Sequence, residues 1–575
     1  MIKNEESGAG VSVAEVSGFS AEHLFASPFT NGNNDALATA IAGAVQQINH
    51  LKPSQANSAA FLGHDASLAL TRDSFHQAKL QDRGKPLDEV IGEVTAMFEG
   101  LPNWGHPLNM SNICPQENTA AIIASMLTQV FSPNILEAEY AWNTAKAELE
   151  SAAILADLAG WDARKAGGLY TYGGSGCWMY QLKYALSRVL PDSRNKGIRT
   201  DAKIICSEQA HYAMLNSTDW TGLGMDHIIT VRTLPDSNMM DPDHLEEILK
   251  TCTARNIPVV SVICTMATTD ACAFDPVKKV RELLDQYPNS PEYGKTLLYC
   301  DAVIGWAWMA FRDYDFINNP MGLSASVLEA AGKNLRAVEE IRYADAFGVD
   351  FHKSFAPLAS SMFVYRDAEE FEQLLRRKEA AYLQERGDYN PHNYTLEVSR
   401  SASGSMAGWA TLRYMGSEGI RAVLARGLEN KCYLLQKMDA YTDMVCANRA
   451  DNGSVVLLRI YPPDTCASSQ FEHELCDAAY QDALTRHNKL TESIGELLWQ
   501  WFREGRKING LFTPYLSLTK GFRPAAYTNC DDSNAVVYAL KVYPVNVFVT
   551  EEIIDHALTC IRIARDEVMP YFNSN

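Results

Sequence analysis

Tyr343-Ala-Asp-Ala-Phe-Gly-Val-Asp350-Phe351-His352-Lys353-Ser-Phe-Ala-Pro-Leu-Ala-Ser-Ser-Met-Phe-Val-Tyr365 is the stretch on which the reading of this chain turns. Lys353 stands among apolar and small residues, directly behind a histidine. Desolvation there favours the neutral amine, so Lys353 is a candidate nucleophile able to hold an aldehyde. Upstream, in order, come Gly173-Gly174-Ser175, Ser207-Glu-Gln-Ala-His211, Thr268-Thr269 with Phe274-Asp275-Pro276, and Leu298-Tyr-Cys-Asp301. Each supplies a different chemistry. Glycines opening a helix let the backbone and its free amides approach a phosphate, with Ser175 adding a hydroxyl. An aspartate ending an apolar strand is costly to bury without a cation.

The surrounding pattern sets the fold. Lys203-Ile-Ile-Cys-Ser, Asp226-His-Ile-Ile-Thr-Val, Val259-Val-Ser-Val-Ile-Cys-Thr and Thr296-Leu-Leu-Tyr-Cys-Asp are continuously apolar, as strands covered on both faces must be. Helical segments at 243–255 and 277–286 intervene, which predicts a parallel α/β sheet over about 165–365. Catalytic loops should then gather at the carboxyl ends of the strands. Before this sheet the pattern predicts helices over 87–98, 119–130 and 138–159, with Glu148 and Glu150 as solvated charges of the last. The first of these places Leu87, Val90, Ile91, Val94 and Met97 on one face and needs a partner. After the sheet it predicts a charged helix over 367–386 and a polar loop over 387–393. Beyond about 420, helices over 420–448 and 473–505 alternate with strands at 454–461 and 535–543, closed by a helix over 550–569. That texture describes a smaller α+β domain.

Bulk properties exclude several classes. With 47% hydrophobic and 21% charged residues over 575 positions, the chain can bury a large core. A formal net charge of −20 argues against an extended nucleic-acid or anionic-membrane surface. The longest uncharged apolar run, 257–269, is 13 residues, too short for a bilayer span. The amino terminus has no signal-peptide core, and the expected location is cytoplasmic. Thirteen cysteines without a Cys-x-x-Cys pair suggest neither a disulfide framework nor a metal site, and buried thiols are expected.

Taken together, the ordered motifs resemble the pyridoxal-phosphate-dependent group II amino-acid decarboxylases, whose members act on glutamate, aspartate, tyrosine and aromatic amino acids. The resemblance covers residues 87 to 420 well and the rest loosely. It implies the aspartate-aminotransferase-like fold (fold type I), with an N-terminal helical segment to 115, a large cofactor domain over 116–420 and a small domain over 421–575. It implies pyridoxal 5′-phosphate as cofactor and a homodimer with the active site at the subunit interface. Lys353 would bond the cofactor, His211 would stack on its ring and assist protonation, and Asp301 would pair with the ring nitrogen. Gly174, Ser175, Gly176, Cys177, Thr268, Asp350 and His352 would complete the cofactor site. His106 and Tyr172 would meet the substrate. Tyr389, or else Tyr394, would be the loop tyrosine that protonates the substrate.

The chain also departs from the family pattern. Cys177-Trp178 stands where a small residue and Asn are usual, Ala267 and Cys272 stand where glycines are usual, and Phe351 replaces a proline. No arginine occurs in the late strand around 536–545 to hold a substrate carboxylate; Tyr538 and Lys541 are there instead. The expected reaction is loss of the α-carboxyl group of an L-amino acid, with acidic substrates favoured by resemblance and aromatic ones an alternative. Aldehyde-forming oxidative decarboxylation, or cofactor binding without turnover, are the competing outcomes.

Overall fold

The computed structural model describes residues 26–27, 35–54, 58–64, 78–80, 82–111, 116–378, 383, 386–523, 525–527 and 535–572. Two compact units divide at Asn103 and Trp104. The first holds the helices Ala36–Leu51, capped by the Asp35 carboxylate, and Leu87–Ala96. On the second of these Leu87, Val90 and Val94 are exposed, as is Met97 just beyond its end.

The larger unit is built on seven strands: β1 (Gly167–Thr171), β2 (Lys203–Ser207), β3 (Ile228–Val231), β4 (Val259–Thr265), β5 (Leu297–Asp301), β6 (Ala346–Asp350) and β7 (Ser361–Tyr365). Their order is β1-β7-β6-β5-β4-β2-β3. The run from β6 to β3 is parallel, and β7 lies antiparallel to both β6 and β1. β1 therefore points the same way as the parallel strands. The continuous apolar runs have the expected consequence, since β4, β5, β6 and β7 are buried along their whole length. One face is covered by the helix Gly174–Val189, which packs across β4, β5, β6 and β7, and the helix Ala145–Leu158 packs against β1 and β7.

A second sheet of four antiparallel strands runs Ser517–Thr519, Ala539–Val542, Val456–Ile460, Met444–Cys446. The helix Gln481–Arg503 covers it and packs on the closing helix Glu551–Phe572. No helix of the described residues is long and apolar enough to cross a membrane. The described cysteines are free thiols, most of them buried.

Several sequence expectations are corrected. The helix over 138–159 is interrupted where Trp142 takes φ 44°, which splits it into Ala138–Ala141, a 3₁₀ turn and Ala145–Leu158. The charged helix over 367–386 ends at Leu375; residues 379–382 and 384–385 of that expectation lie outside the described residues. The helix over 420–448 starts earlier and stops sooner, at Ser403–Met438, and breaks its helical path at Gly416 (φ 55°). The one over 473–505 is two, Ala467–Cys476 and Gln481–Arg503, joined by a 3₁₀ turn. Glu148 is not a solvated charge: it is fully buried, whereas Glu150 is exposed as expected.

Candidate active site

The parallel sheet decides where the chemistry collects. Asp301 is the last residue of β5 and Asp350 the last of β6, while the segments carrying Gly173-Gly174, His211, Thr268 and Lys353 follow the carboxyl ends of β1, β2, β4 and β6. All of these strand ends lie on one edge, because β1, β2, β4, β5 and β6 run in one direction.

At that edge five ionisable groups gather: Lys353, Asp350, His352, Asp301 and His211. Lys353 Nζ lies 3.2 Å from Asp350 Oδ2, and His352 Nε2 lies 3.6 Å from the same oxygen. Asp301 and Asp350 are almost fully buried. Trp178 donates its indole N–H to Asp301 Oδ2 at 2.8 Å. The second oxygens, Asp301 Oδ1 and Asp350 Oδ1, have no hydrogen-bond partner among the described residues. Burial pushes the Asp301 pKa up, and the Lys353 ammonium, His211 and the Trp178 N–H oppose it. Burial pushes the His211 pKa down against the pull of Asp301. His211 Nδ1 accepts from the Ala213 amide at 3.1 Å, so the neutral ring carries its proton on Nε2.

The turn after β1 meets the requirements for an anion. Gly173 has φ 122°, a conformation that L side chains rarely adopt. The following helix starts at Gly174 with no side-chain cap, leaving its first amides to a ligand. A Cβ at Gly174 would come 3.1 Å from Asp350 Oδ2, so a side chain there would crowd the Asp350 carboxylate. Ser175 is exposed on the first helical turn. Gly176 packs its missing Cβ on Thr171, and the buried Cys177 thiol lies beneath the sheet against Gly348. Cys177 is thus a packing residue in its side chain.

Thr268 and Asp275 shape the next loop. Thr268 Oγ1 accepts from the Ala273 amide at 3.1 Å. Asp275 accepts from the Met240 and Thr265 amides, both at 2.7 Å, tying the end of β4 to a neighbouring loop. Burial raises its pKa to about 7 despite those bonds. Ala267 (φ 75°) and Cys272 (φ 57°) both hold left-handed backbone in this loop. These are the two positions where glycine is usual in the resembling enzymes.

Other candidates fall elsewhere. Tyr389 is packed beside Ile135, Ala141, Ala145 and Ala402, and its hydroxyl donates to Glu148 Oε1 at 2.6 Å. Glu148 also accepts from Arg400 at 2.8 and 2.9 Å and from the Tyr170 amide at 2.7 Å. This buried pair is the feature that sequence reasoning missed; an acid on an amphipathic helix gives no sign of a partner 252 positions away. Tyr394 packs its ring on Phe371 and bonds to Glu372. His106 is buried and takes the Leu108 amide on Nδ1 at 3.1 Å, while Trp104 beside it lines a cavity. Tyr172 is half exposed, immediately before the Gly173 turn. Lys541 is spent on Asp270 at 2.6 Å and on the Thr269 carbonyl.

Comparison with known proteins bears on the family and the fold. The model of the pyridoxal-dependent decarboxylase conserved domain matches residues 71–458. The chain is 25% identical over 233 residues to an L-2,4-diaminobutyrate decarboxylase of Acinetobacter baumannii, a match covering 40% of each chain. It is 22% identical over 373 residues to an acidic amino acid decarboxylase of Xenopus tropicalis, covering 63% of this chain and 67% of the relative. The match thus spans less than half the length of the first of these relatives. Among solved structures, mouse CSAD in apo form superimposes with a TM-score of 0.69 at 16% identity over 92% of this chain and 99% of the other. Oryza sativa TDC with PLP and tryptamine gives 0.72 at 15% identity, over 94% and 100%. These likenesses show a shared fold, the fold type I architecture.

Proposed function

As the chain belongs to the pyridoxal-dependent decarboxylase family, we propose that it removes the α-carboxyl group of an L-amino acid as carbon dioxide and releases an amine. The observation that carries this reading is the meeting of Lys353, Asp350, Asp301 and His211 at the carboxyl edge of the sheet. Among the described residues Asp301 keeps one buried carboxylate oxygen without a hydrogen-bond partner, which suits a carboxylate reserved for a ring cation.

The family's cofactor, pyridoxal phosphate, supplies an aldehyde for the substrate amine and a conjugated ring that accepts the electron pair left by carbon dioxide. Lys353 would bond it, Asp301 would face its ring nitrogen, His211 would lie on its ring, and the amides at Gly174 and Ser175 would hold its phosphate. Asp350 keeps the Lys353 ammonium and the His352 imidazole close to the Gly174 turn. Of the groups in this cluster, His211 is suited to deliver a proton to the substrate α-carbon. Tyr389 is not assigned that role within one chain, since its hydroxyl is committed to Glu148.

A homodimer belongs to the same proposal. On the helix Thr119–Phe131 the residues Ile122, Ile123, Met126, Leu127 and Phe131 are exposed, an apolar face that a second copy would cover.

The test is an absorbance spectrum of purified protein and of Lys353→Ala, with and without borohydride, followed by a screen for carbon dioxide release over the common L-amino acids. A visible band abolished by borohydride and missing from the mutant, together with amine and carbon dioxide in equal amounts, is the expected result. Ammonia and peroxide would point to the aldehyde-forming outcome. A band without carbon dioxide would leave a binding protein.

A further inference from the structure

Asp350 is a buried acid set against the place where a phosphate would dock. It ends β6 and is almost fully buried, and its two oxygens have unequal surroundings. Oδ2 faces Lys353 Nζ at 3.2 Å and His352 Nε2 at 3.6 Å. Oδ1 has no hydrogen-bond partner among the described residues. Both oxygens border the Gly173-Gly174 turn, 3.1 and 3.3 Å from where a Cβ on Gly174 would stand. A carboxylate therefore lies against the uncapped start of the helix Gly174–Val189, whose first amides suit an anion.

The titratable groups around Asp350 offer it one strong counter-charge, the Lys353 ammonium. On β5, Asp301 carries the same sign, and the buried Tyr299 phenol is held neutral. On the helix Gly174–Val189, burial likewise keeps the Cys177 thiol neutral, and beyond β2 burial favours the neutral His211 ring. His352 sets its Nδ1 against the Ser360 carbonyl at 3.4 Å and the Ser361 hydroxyl at 3.2 Å. Loading the site disturbs this balance twice. A phosphate monoester is a dianion above pH ~6, and at the Gly174 turn it brings like charge against Asp350. Bonding Nζ to an aldehyde carbon also consumes the ammonium, a triple N–H donor. Like charge gained and counter-charge lost both favour the neutral form of a buried carboxyl group.

We propose that Asp350 takes up one proton from solvent when a phosphate is held at the Gly174 turn, and then donates a hydrogen bond from its carboxylic acid to a phosphate oxygen. This rests on the reading of the site as one for pyridoxal phosphate, and goes beyond it by making retention of the cofactor depend on pH. The phosphate keeps both of its charges, and the unpartnered Oδ1 carries the new proton. Binding that takes up a proton weakens as pH rises, by at most tenfold per pH unit for one proton.

The experiment is calorimetry of pyridoxal 5′-phosphate binding to the full-length protein freed of cofactor, at pH 8 in two buffers of different ionisation heat. It compares wild type, Asp350→Asn and His352→Gln. Sulfate, which stays a dianion throughout and cannot bond Lys353, is the second probe. Wild type and His352→Gln are expected to take up one proton more than Asp350→Asn on binding the cofactor. Wild-type affinity should fall at least fivefold from pH 7.5 to 8.5, against less than twofold in Asp350→Asn, and Asp350→Asn should bind sulfate at least tenfold more tightly than wild type. Equal proton counts in wild type and Asp350→Asn would overturn the proposal. A count lost in His352→Gln would give the proton to the imidazole and overturn it too, and equal sulfate affinity would show that no anion sits against Asp350. Should Asp350→Asn not fold, an infrared difference spectrum of wild type decides. A new carboxylic-acid band on adding pyridoxal 5′-phosphate, and not on adding pyridoxal, supports the proposal; no such band overturns it. If pyridoxal 5′-phosphate gives no borohydride-sensitive absorbance, the cofactor reading itself fails, while the sulfate comparison still decides the anion site.

Discussion

Asp301 shows how one neighbour governs a buried charge. Among the described residues its carboxylate has one hydrogen-bond donor, the Trp178 indole, and both side chains are buried. Trp178→Phe keeps a large ring in place and deletes that N–H. Hydrogen bonds to charged groups contribute ~1.5–3 kcal/mol, so the variant should bind pyridoxal phosphate at least about tenfold more weakly. A titration followed by absorbance measures this, and unchanged affinity would show that Asp301 needs no such support. Ala267 and Cys272 pose the opposite question, since left-handed backbone costs an L residue ~1–2 kcal/mol. Ala267→Gly trades that strain against ~0.4–1 kcal/mol of added chain freedom in the unfolded state. A net stabilisation of roughly 0.5–1 kcal/mol is expected from urea denaturation; a destabilised variant would mean that packing of the Ala267 methyl outweighs the strain.

At the scale of elements, the Glu148–Arg400 pair joins the helix Ala145–Leu158, β1 and the segment carrying Tyr389. Burial works against the Arg400 charge, and the Glu148 carboxylate more than offsets it, leaving the guanidinium pKa above its ordinary value. Burial and the Glu148 charge together push the Tyr389 phenol well up, so it stays protonated and donating. Removing one member strands the other in the interior. Arg400→Met should cost ~3–5 kcal/mol, and the double variant Glu148→Leu/Arg400→Met should recover much of that loss. Thermal unfolding checks both numbers. Limited proteolysis should find the segment 386–394 cut sooner in Arg400→Met; equal cutting would mean that this segment is held by its other contacts.

For the whole molecule, pH and assembly are the informative variables. The Asp275 carboxyl titrates near 7 in the folded chain and near 3.9 when unfolded. Between these values the folded state keeps a proton that the unfolded state has lost, so this group makes stability fall as pH rises from about 4 to 7, with no further change above. The slope from one proton is at most ~1.4 kcal/mol per pH unit. Urea midpoints measured across pH 4–8 should show that decline, and Asp275→Asn should flatten it; an identical slope in the variant would assign the proton to another group. Assembly tests the exposed apolar helix. Leu127→Asp places a charge in the face proposed to meet a second copy, and sedimentation should show dimer in the wild type and a shift toward monomer in the variant. A wild-type monomer would end that part of the proposal.

Four strands of the large sheet, β2 to β5, were legible in the sequence as continuously apolar runs, whereas β1, β6 and β7 were not read as strands. The order Gly174, His211, Thr268, Asp301, Lys353 was legible too, since each follows or ends a strand and parallel strands deliver their ends to one edge. What the sequence could not contain is pairing across long separations. Glu148 looks solvated until β1 and Arg400 close over it, Tyr389 looks like a loop residue until its hydroxyl meets Glu148, and Trp178 looks like a substitution until its indole reaches Asp301. Helix ends were likewise missed at Trp142, Leu375 and Met438, where local φ and the demands of packing override periodicity. Local pattern fixes which residues face inward; only the folded chain decides which of them share a charge, a proton or a cavity, because burial energies depend on partners that are remote in sequence.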